Sequence, residues 1–363
     1  MGDRIKIGVV GGSFSEVHIQ GFRHCPDLEV TAVCRRQEEL AKTVAQKYHI
    51  GRYYTDFLKM IEAADVDAVS IAVPNHLHCA MTLQAVERGK HVICEKPLAL
   101  TVRDAETMLA KAEATKRVHM IVFSLRPVPA FSRIRELIDQ GELGEVFHVY
   151  FSWVSNSRRN PDSLHTWRHT KEQAGFGAMG DLGVHGIDLI HWMCGDFKKV
   201  VAEMSIYVPE HKTADGNYRK TEVEDCCSFI GELVNGAQVV FQASNVASCE
   251  STIRLEIHGA QGVLAALLNP RAGDFTGTLF GGKGETRLQN VLPIPERLTA
   301  AMVPRYEDDS PRSLFFGRLA QRFVESVRAG RSLSPNFHDG VKAQKVLHAL
   351  TESWEHRQWS HLS

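Results

Sequence analysis

The first third of the chain alternates short β-branched runs with stretches of helical length, and few folds accommodate that order. Ile5-Lys6-Ile7-Gly8-Val9-Val10 breaks at Gly11-Gly12 and gives way to a helix-like stretch reaching His24. Residues 30–34 read as a second strand, with a helix over 38–48 behind it. Residues 67–73 form the next, ended by Pro74 and followed by a helix over 79–89. A strand over 92–94, a helix over 102–116 and a strand over 120–123 complete the series. Strands alternating with helices require crossover connections, which implies an α/β domain with a parallel sheet over residues 1–123.

Beyond Ser124 the order changes. A helix over 131–140 and a long strand over 146–155 precede a polar loop and a Gly-rich approach to a helix over 181–194. Residues 200–208, 226–233, 238–246 and 252–259 alternate as strands do, and Asn235-Gly236 is a hairpin turn signal. Successive strands with few helices between them imply an α+β second domain over residues 124–363, with closing helices over 314–329 and 339–357. At 363 residues the chain exceeds the size at which one core stops growing, roughly 250–300 residues, which agrees with two domains.

Composition excludes several classes of function. A formal net charge of -1 gives no reason to expect a nucleic-acid partner, and the basic pair Arg158-Arg159 is too short to alter that. There is no long apolar segment suited to secretion or to spanning a membrane, so a cytoplasmic setting is expected. The eight cysteines lack the paired spacings of a zinc site, so they read as reduced core residues and no metal is expected.

A strand that ends in glycines and opens onto a helix suits a dinucleotide pyrophosphate. Small residues permit close approach, and the amides of the helix terminus face the anion. The residues placed for this are Gly11, Gly12, Ser13, Phe14 and Ser15, with serines at 13 and 15 where further glycines are expected. The second strand ends at Arg35-Arg36, where an acidic residue would accept the adenosine ribose hydroxyls and arginine can pair with a 2′-phosphate. NADP is therefore expected ahead of NAD; a solvated arginine pair would set no preference.

Two further segments carry chemistry. Glu95-Lys96-Pro97 follows the apolar run Val92-Ile93-Cys94, which puts a lysine beyond the carboxyl end of a buried strand, where ligands of open α/β sheets bind. A surface Lys-Pro turn is the bland alternative. Asp181, His185 and Asp188 share one face of a helix that is otherwise apolar at Leu182, Ile187, Leu189, Ile190 and Met193. Such a stripe is costly to bury without purpose, although a satisfied core pair of His185 and Asp188 would also account for it. Oxidation of an alcohol needs a group to take the hydroxyl proton while hydride leaves the same carbon. His185 is the natural acid/base, Asp181 can orient it or accept a neighbouring hydroxyl, and Lys96 can stabilise alkoxide character on the reacting oxygen.

Taken together, Ala72-Val73-Pro74-Asn75-His76-Leu77-His78, Glu95-Lys96-Pro97 and Gly180-Asp181-Leu182-Gly183-Val184-His185-Gly186-Ile187-Asp188 resemble the glucose-fructose oxidoreductase, inositol dehydrogenase and rhizopine-catabolism (Gfo/Idh/MocA) family. The resemblance covers nearly the whole chain, including Gly141-Glu142-Leu143-Gly144 and Gly259-Ala260-Gln261-Gly262. It implies an N-terminal Rossmann domain with a doubly wound parallel sheet. The C-terminal α+β domain that it implies carries a large open, mainly antiparallel sheet, often used for oligomer contacts. The activity implied is NAD(P)-dependent oxidation or reduction of sugars, cyclitols and related polyols. By motif, Lys96, Asp181 and His185 are the catalytic residues; Pro74, Asn75 and His78 lie beside the cofactor, with Glu95 near the nicotinamide ribose. The serine-substituted loop is the main departure from the family pattern.

Trp167 and Arg168, just before the active-site helix, suit a sugar pocket through an aromatic face and a guanidinium, or Trp167 packs the domain junction instead. Arg126, His165 and His169 are further pocket candidates. Two other functions compete with net hydride transfer: glycoside cleavage through transient oxidation with recycled bound NAD, and a non-catalytic cofactor-binding regulator. An open sheet needs covering, so a homodimer or homotetramer is expected.

Overall fold

The computed structural model describes residues 4–62, 65–284, 288 and 290–362. The chain divides into two compact units, one of residues 1–124 with 304–341 and one of residues 125–303 with 342–363.

The first unit runs β1 (Ile5–Gly11), α1 (Ser15–Phe22), β2 (Leu28–Cys34), α2 (Glu38–Lys47), β3 (Arg52–Tyr54), α3 (Phe57–Ile61), β4 (Ala68–Ala72), α4 (His78–Glu87), β5 (His91–Cys94), α5 (Val102–Ala114) and β6 (His119–Ile121). The six strands lie in the order β3-β2-β1-β4-β5-β6, and every pair is parallel. The direction of winding reverses between β1 and β4, and in such sheets the crevice for a ligand opens beyond the carboxyl ends of the strands on either side of that point. The Gly11 loop and the segments after β4 and β5 are the loops there. The strand β3 and the helix α3 escape a reading by periodicity. Three residues show no period, and α3 is marked only by Asp56, whose carboxylate accepts the Lys59 N–H at 3.2 Å.

The sequence reading gives everything past residue 124 to the second domain, but the helix Pro311–Arg328 belongs to the first unit. Phe316, Leu319, Ala320, Phe323 and Val324 on its apolar face join the cluster of Ile7, Val9, Ile19 and Phe22. Gly21 makes the approach possible, since a Cβ there would lie 2.6 Å from the Phe316 ring. A hydrophobic stripe fixes that a helix is covered, and only the fold decides by what.

The second unit contains α6 (Pro129–Asp139), β7 (Val146–Val154), α7 (Lys171–Ala174), α8 (Val184–Cys194), β8 (Phe197–Ser205), β9 (Glu210–Lys212), β10 (Tyr218–Lys220), β11 (Cys226–Leu233), β12 (Gln238–Ser244), β13 (Thr252–Gly259), β14 (Gly262–Leu268), β15 (Thr278–Lys283) and β16 (Ser360–His361). Eight of these strands form one sheet in the order β15-β14-β13-β7-β12-β11-β8-β16. All neighbours are antiparallel except β12 and β7. That parallel pair arises because β8, β11 and β12 fold back on one another before the last of them docks on β7. Gly236, at φ 90°, makes the expected turn between β11 and β12.

Alternation gives this sheet two faces. Val149, Phe151, Phe229, Val239, Phe241 and Leu255 point to a buried side, where the Phe151, Phe241 and Phe229 rings stack at 4.6 and 4.5 Å. Tyr150, Val240 and Ile230, on the same strands, remain exposed on the other. The helix α8 packs on the buried side through Gly186, where a Cβ would stand 2.3 Å from the Phe151 ring.

A buried ion pair fixes α8 further. Arg126 donates to Asp188 through Nε at 2.8 Å and through Nη2 at 2.6 Å, with side chains only 5% and 2% exposed. Arg126, expected beside a substrate, makes this fork with Asp188 and so ties the loop before α6 to α8. A charged side chain four residues past a turn has no periodicity that reveals a bidentate partner sixty residues away. We predict that Arg126→Ala lowers stability by about 3–5 kcal/mol, because a buried carboxylate loses its guanidinium. In chemical denaturation the Arg126→Ala/Asp188→Ala pair should cost clearly less than the two single changes together; simple additivity would contradict the anchor.

Candidate active site

In the first unit the phosphate loop is shaped by the contact between β1 and β4. Gly11 adopts φ +154°, and a Cβ on it would fall 2.1 Å from the Ala72 carbonyl oxygen, so no other residue fits. Gly12 is exposed, and a Cβ there would meet nothing within 4 Å, which leaves open space over the loop. The helix α1 then starts at Ser15 with no side chain capping its terminus. An uncapped helix start beneath an open glycine suits a pyrophosphate. Ser13 is exposed and Phe14 half-buried, whereas Ser15 is buried and donates its hydroxyl to the Gly12 carbonyl at 2.7 Å. Ser15 therefore closes the loop on itself, which explains how a serine is tolerated where a glycine was expected.

The arginine pair after β2 divides. Arg36 is exposed, but Arg35 is buried, and its Nη2 lies 3.0 Å from Glu16 Oε1 and 3.1 Å from the Gly12 carbonyl. The expected 2′-phosphate ligand Arg35 thus already holds a carboxylate. Glu16 also accepts from Lys47 at 2.9 Å and from the Tyr48 hydroxyl at 3.1 Å.

The loops after β4 and β5 are tied together by His78. Its fully buried ring places Nδ1 2.9 Å from the Pro97 carbonyl and Nε2 3.0 Å from the Val73 carbonyl. Burial pushes its pKa down in spite of both carbonyls. His78 thus clips the segment of Pro74 and the buried Asn75 to the Lys96-Pro97 turn. Glu95 is buried as well. Burial alone would raise its carboxyl, but the hydrogen bond and charge of His18, together with Lys96, hold it below the ordinary range. His18 Nε2 stands 2.9 Å from Glu95 Oε1, and its Nδ1 stands 2.7 Å from Ser70 Oγ. The other carboxylate oxygen accepts the Lys96 backbone N–H at 3.1 Å. This arrangement leaves Lys96 half-buried at the exit of β5.

In the second unit the active-site helix does not begin as expected. Met179–Gly183 forms a π-helical turn that leads into α8, so Asp181 and His185 are joined across a change of helical type. Half-buried Glu224, unnoticed in the sequence, accepts the backbone N–H groups of Gly177 and Met179 at 2.9 Å and anchors that turn. Asp181 keeps 31% of its side chain exposed, and Oδ2 accepts from Arg158 Nη2 at 2.9 Å. His185 is 5% exposed, with its ring 5.6 Å from that of Trp153. Arg158, dismissed above as part of a short basic pair, is buried and also donates to the Arg168 carbonyl. Only the tertiary structure reveals its role, since nothing local links residue 158 to residue 181.

The segment before the helix forms a layered group. The Arg168 guanidinium lies 4.3 Å over the Trp167 ring. The rings of His165, His169 and His211 follow one another at centroid distances of 5.0 and 4.2 Å, tilted by 37° and 32°. His165 is half-buried beside the Lys220 carbonyl, and His211 Nε2 lies 3.1 Å from the Arg158 carbonyl. Burial, then Arg158, His211 and His165, push the His169 pKa down to about 3. The unfolded chain takes up that proton near pH 6.5, so the stability associated with a neutral His169 is complete above about 6.5 and falls as pH drops toward 3. His169→Phe should flatten the acid-side loss of stability in denaturation series run from pH 7.5 to 4.5; an unchanged slope would exclude the neutral ring as its source.

Among the described residues there is no cluster of His, Cys, Asp or Glu able to hold a metal ion, and no helix long and apolar enough to cross a membrane. Residues 5–123 match the model of the Gfo/Idh/MocA oxidoreductase family with NAD-binding Rossmann fold, and residues 131–265 match the Gfo/Idh/MocA C-terminal domain. The chain is 28% identical to levoglucosan dehydrogenase of Pseudarthrobacter phenanthrenivorans, covering 98% of this chain and 97% of that one. It is 25% identical to inositol 2-dehydrogenase of Rhizobium meliloti, with 96% of each chain covered. The solved structure of levoglucosan dehydrogenase in complex with NADH superposes with a TM-score of 0.91 at 25% identity, covering 99% of this chain and all of that one. With both halves matched, and with a glycine loop and active-site helix built as described, the chain belongs to the Gfo/Idh/MocA family of NAD-binding oxidoreductases.

Proposed function

We propose that the chain is a dehydrogenase or reductase that interconverts a hydroxyl and a keto carbon of a sugar, glycoside, cyclitol or related polyol. The observation that carries this reading is Asp181, part-exposed and held by the buried Arg158, four residues before the buried imidazole of His185. A carboxylate oriented by a guanidinium can accept a hydrogen bond from a substrate hydroxyl or an imidazole. His185 takes the hydroxyl proton in oxidation and returns it in reduction. The Lys96 ammonium stabilises the alkoxide that precedes hydride departure. The nicotinamide, when bound, supplies the hydride acceptor or donor. Trp167 with its stacked Arg168 offers a sugar an apolar face and hydroxyl donors. Relatives named for levoglucosan and for inositol support the substrate class.

The cofactor is NAD or NADP, with exposed Arg36 giving the phosphorylated form an advantage at the ribose. Lys96→Met, Asp181→Asn and His185→Asn should each lower kcat with sugar or polyol substrates by about a hundredfold or more, the usual scale for loss of a positioned acid, base or oxyanion donor. Fluorescence titration should find cofactor affinity within about threefold of wild type in the Asp181 and His185 variants. Undiminished turnover in all three variants would refute the assignment.

The exposed sheet face with Tyr150, Val240 and Ile230 supports assembly into a homodimer or homotetramer through that face. Light scattering should give a multiple of the 40.5 kDa chain mass for wild type and a lower multiple for Val240→Arg/Ile230→Arg. A monomeric wild type, or an unchanged mass in the variant, would exclude this face.

A further inference from the structure

We propose that Glu16 is a cofactor-specificity residue, which neutralises Arg35 and thereby restrains selection of the 2′-phosphorylated nucleotide. This rests on the reading of the first unit as the NAD(P) site. Arg35 follows β2 directly, at the position that meets the adenosine ribose in this fold, and an unencumbered guanidinium there would pair with a 2′-phosphate. It is instead folded back. One nitrogen, Nη2, lies 3.0 Å from Glu16 Oε1, 3.1 Å from the Gly12 carbonyl and 3.4 Å from Ser15 Oγ, while the side chain is 9% exposed. The acceptors all belong to the phosphate loop and the first turn of α1, so the guanidinium faces the loop.

Glu16 acts in two ways. It occupies the charge that would attract a phosphate, and it places its own negative charge beside the site. A 2′-phosphate brings close to two negative charges at neutral pH, so it must either displace the carboxylate from Arg35 or sit against it. A ribose with a free 2′-hydroxyl meets neither penalty. Glu16 is itself firmly held, since its second oxygen accepts from Lys47 Nζ and the Tyr48 hydroxyl. Removing its charge therefore releases two cations, Arg35 and Lys47, near the ribose. The groups that face the carboxylate are thus Arg35 after β2, Lys47 at the end of α2 and Tyr48 just beyond it. Exposed Arg36, the Glu38 and Glu39 carboxylates at the start of α2 and Lys42 within it are the other charges from the end of β2 to Tyr48.

The test is equilibrium titration of the full chain with NADH and NADPH, comparing wild type with Glu16→Gln, which keeps the shape but removes the charge and turns one acceptor oxygen into an amide donor. The dissociation constant for NADPH should fall by tenfold or more in Glu16→Gln, and that for NADH should change by less than threefold. Adding Arg35→Ala to Glu16→Gln should abolish the gain. Parallel shifts for the two nucleotides, no shift, or a gain that survives removal of Arg35 would each overturn the role of Glu16. Failure of the wild-type protein to bind either nucleotide would overturn the cofactor reading itself, and this inference with it. Thermal melts of the unliganded variants serve as the control for folding, and Glu16→Ala provides a second neutral side chain with the same expected direction.

Discussion

The loops of the first unit hang on a buried imidazole. His18 comes from α1, the helix that opens after the phosphate loop, and its two ring nitrogens reach Ser70 on β4 and Glu95 at the exit of β5. A carboxylate can only accept, so Nε2 carries the proton, and the resulting charge-assisted contact is stronger than a neutral one. The same Glu95 receives the Lys96 backbone N–H. One side chain thereby sets the helix start against the loop that bears the amine. The Phe316 ring stacks on His18 at 4.1 Å and shields the contact from water, which gives the late Pro311–Arg328 helix its part in the site.

The second unit solves a similar problem with different groups. Its helix α8 must lie close to a sheet and yet carry polar side chains. Gly186 permits the close approach, the Arg126–Asp188 fork prevents sliding, and Glu224 fastens the π-helical turn that carries Asp181. The π turn widens the helix just where the two polar residues are presented, and such turns recur at functional sites because they re-aim side chains without breaking the backbone ladder. Arg158 then fixes the Asp181 carboxylate from outside the helix. Buried charges of this kind are expensive to desolvate, and here each is matched by a partner with good geometry.

Elements with a strong period and the motifs at their ends were legible from the residues alone. The strands of the parallel sheet, the Gly11 break, the amine-bearing turn at Lys96 and the titratable stripe of α8 all lie in short contiguous runs. The unread parts depend on pairings between distant segments. The strands β9 and β10 are three residues each, too short to show a period, and Arg158, Glu224 and Glu16 sit in stretches that look like ordinary solvated surface. Arg35 was visible as a residue type at a telling position, but its occupation by Glu16 was not, because a carboxylate nineteen positions earlier has no local relation to it.

The sequence by itself determined the class of fold, the family and the chemical identity of the titratable groups proposed for proton transfer. These follow from local patterns, where backbone propensity and the order of apolar and polar residues act over a few positions. Tertiary structure alone decided which of those groups are presented and which are engaged internally. Arg126, His78 and Ser15 hold internal partners, while Arg158 and Glu224 fasten Asp181 and the turn that carries it. The physical reason is that a charge or hydrogen-bonding group removed from water must find a partner, and that partner is selected by three-dimensional proximity rather than by spacing along the chain.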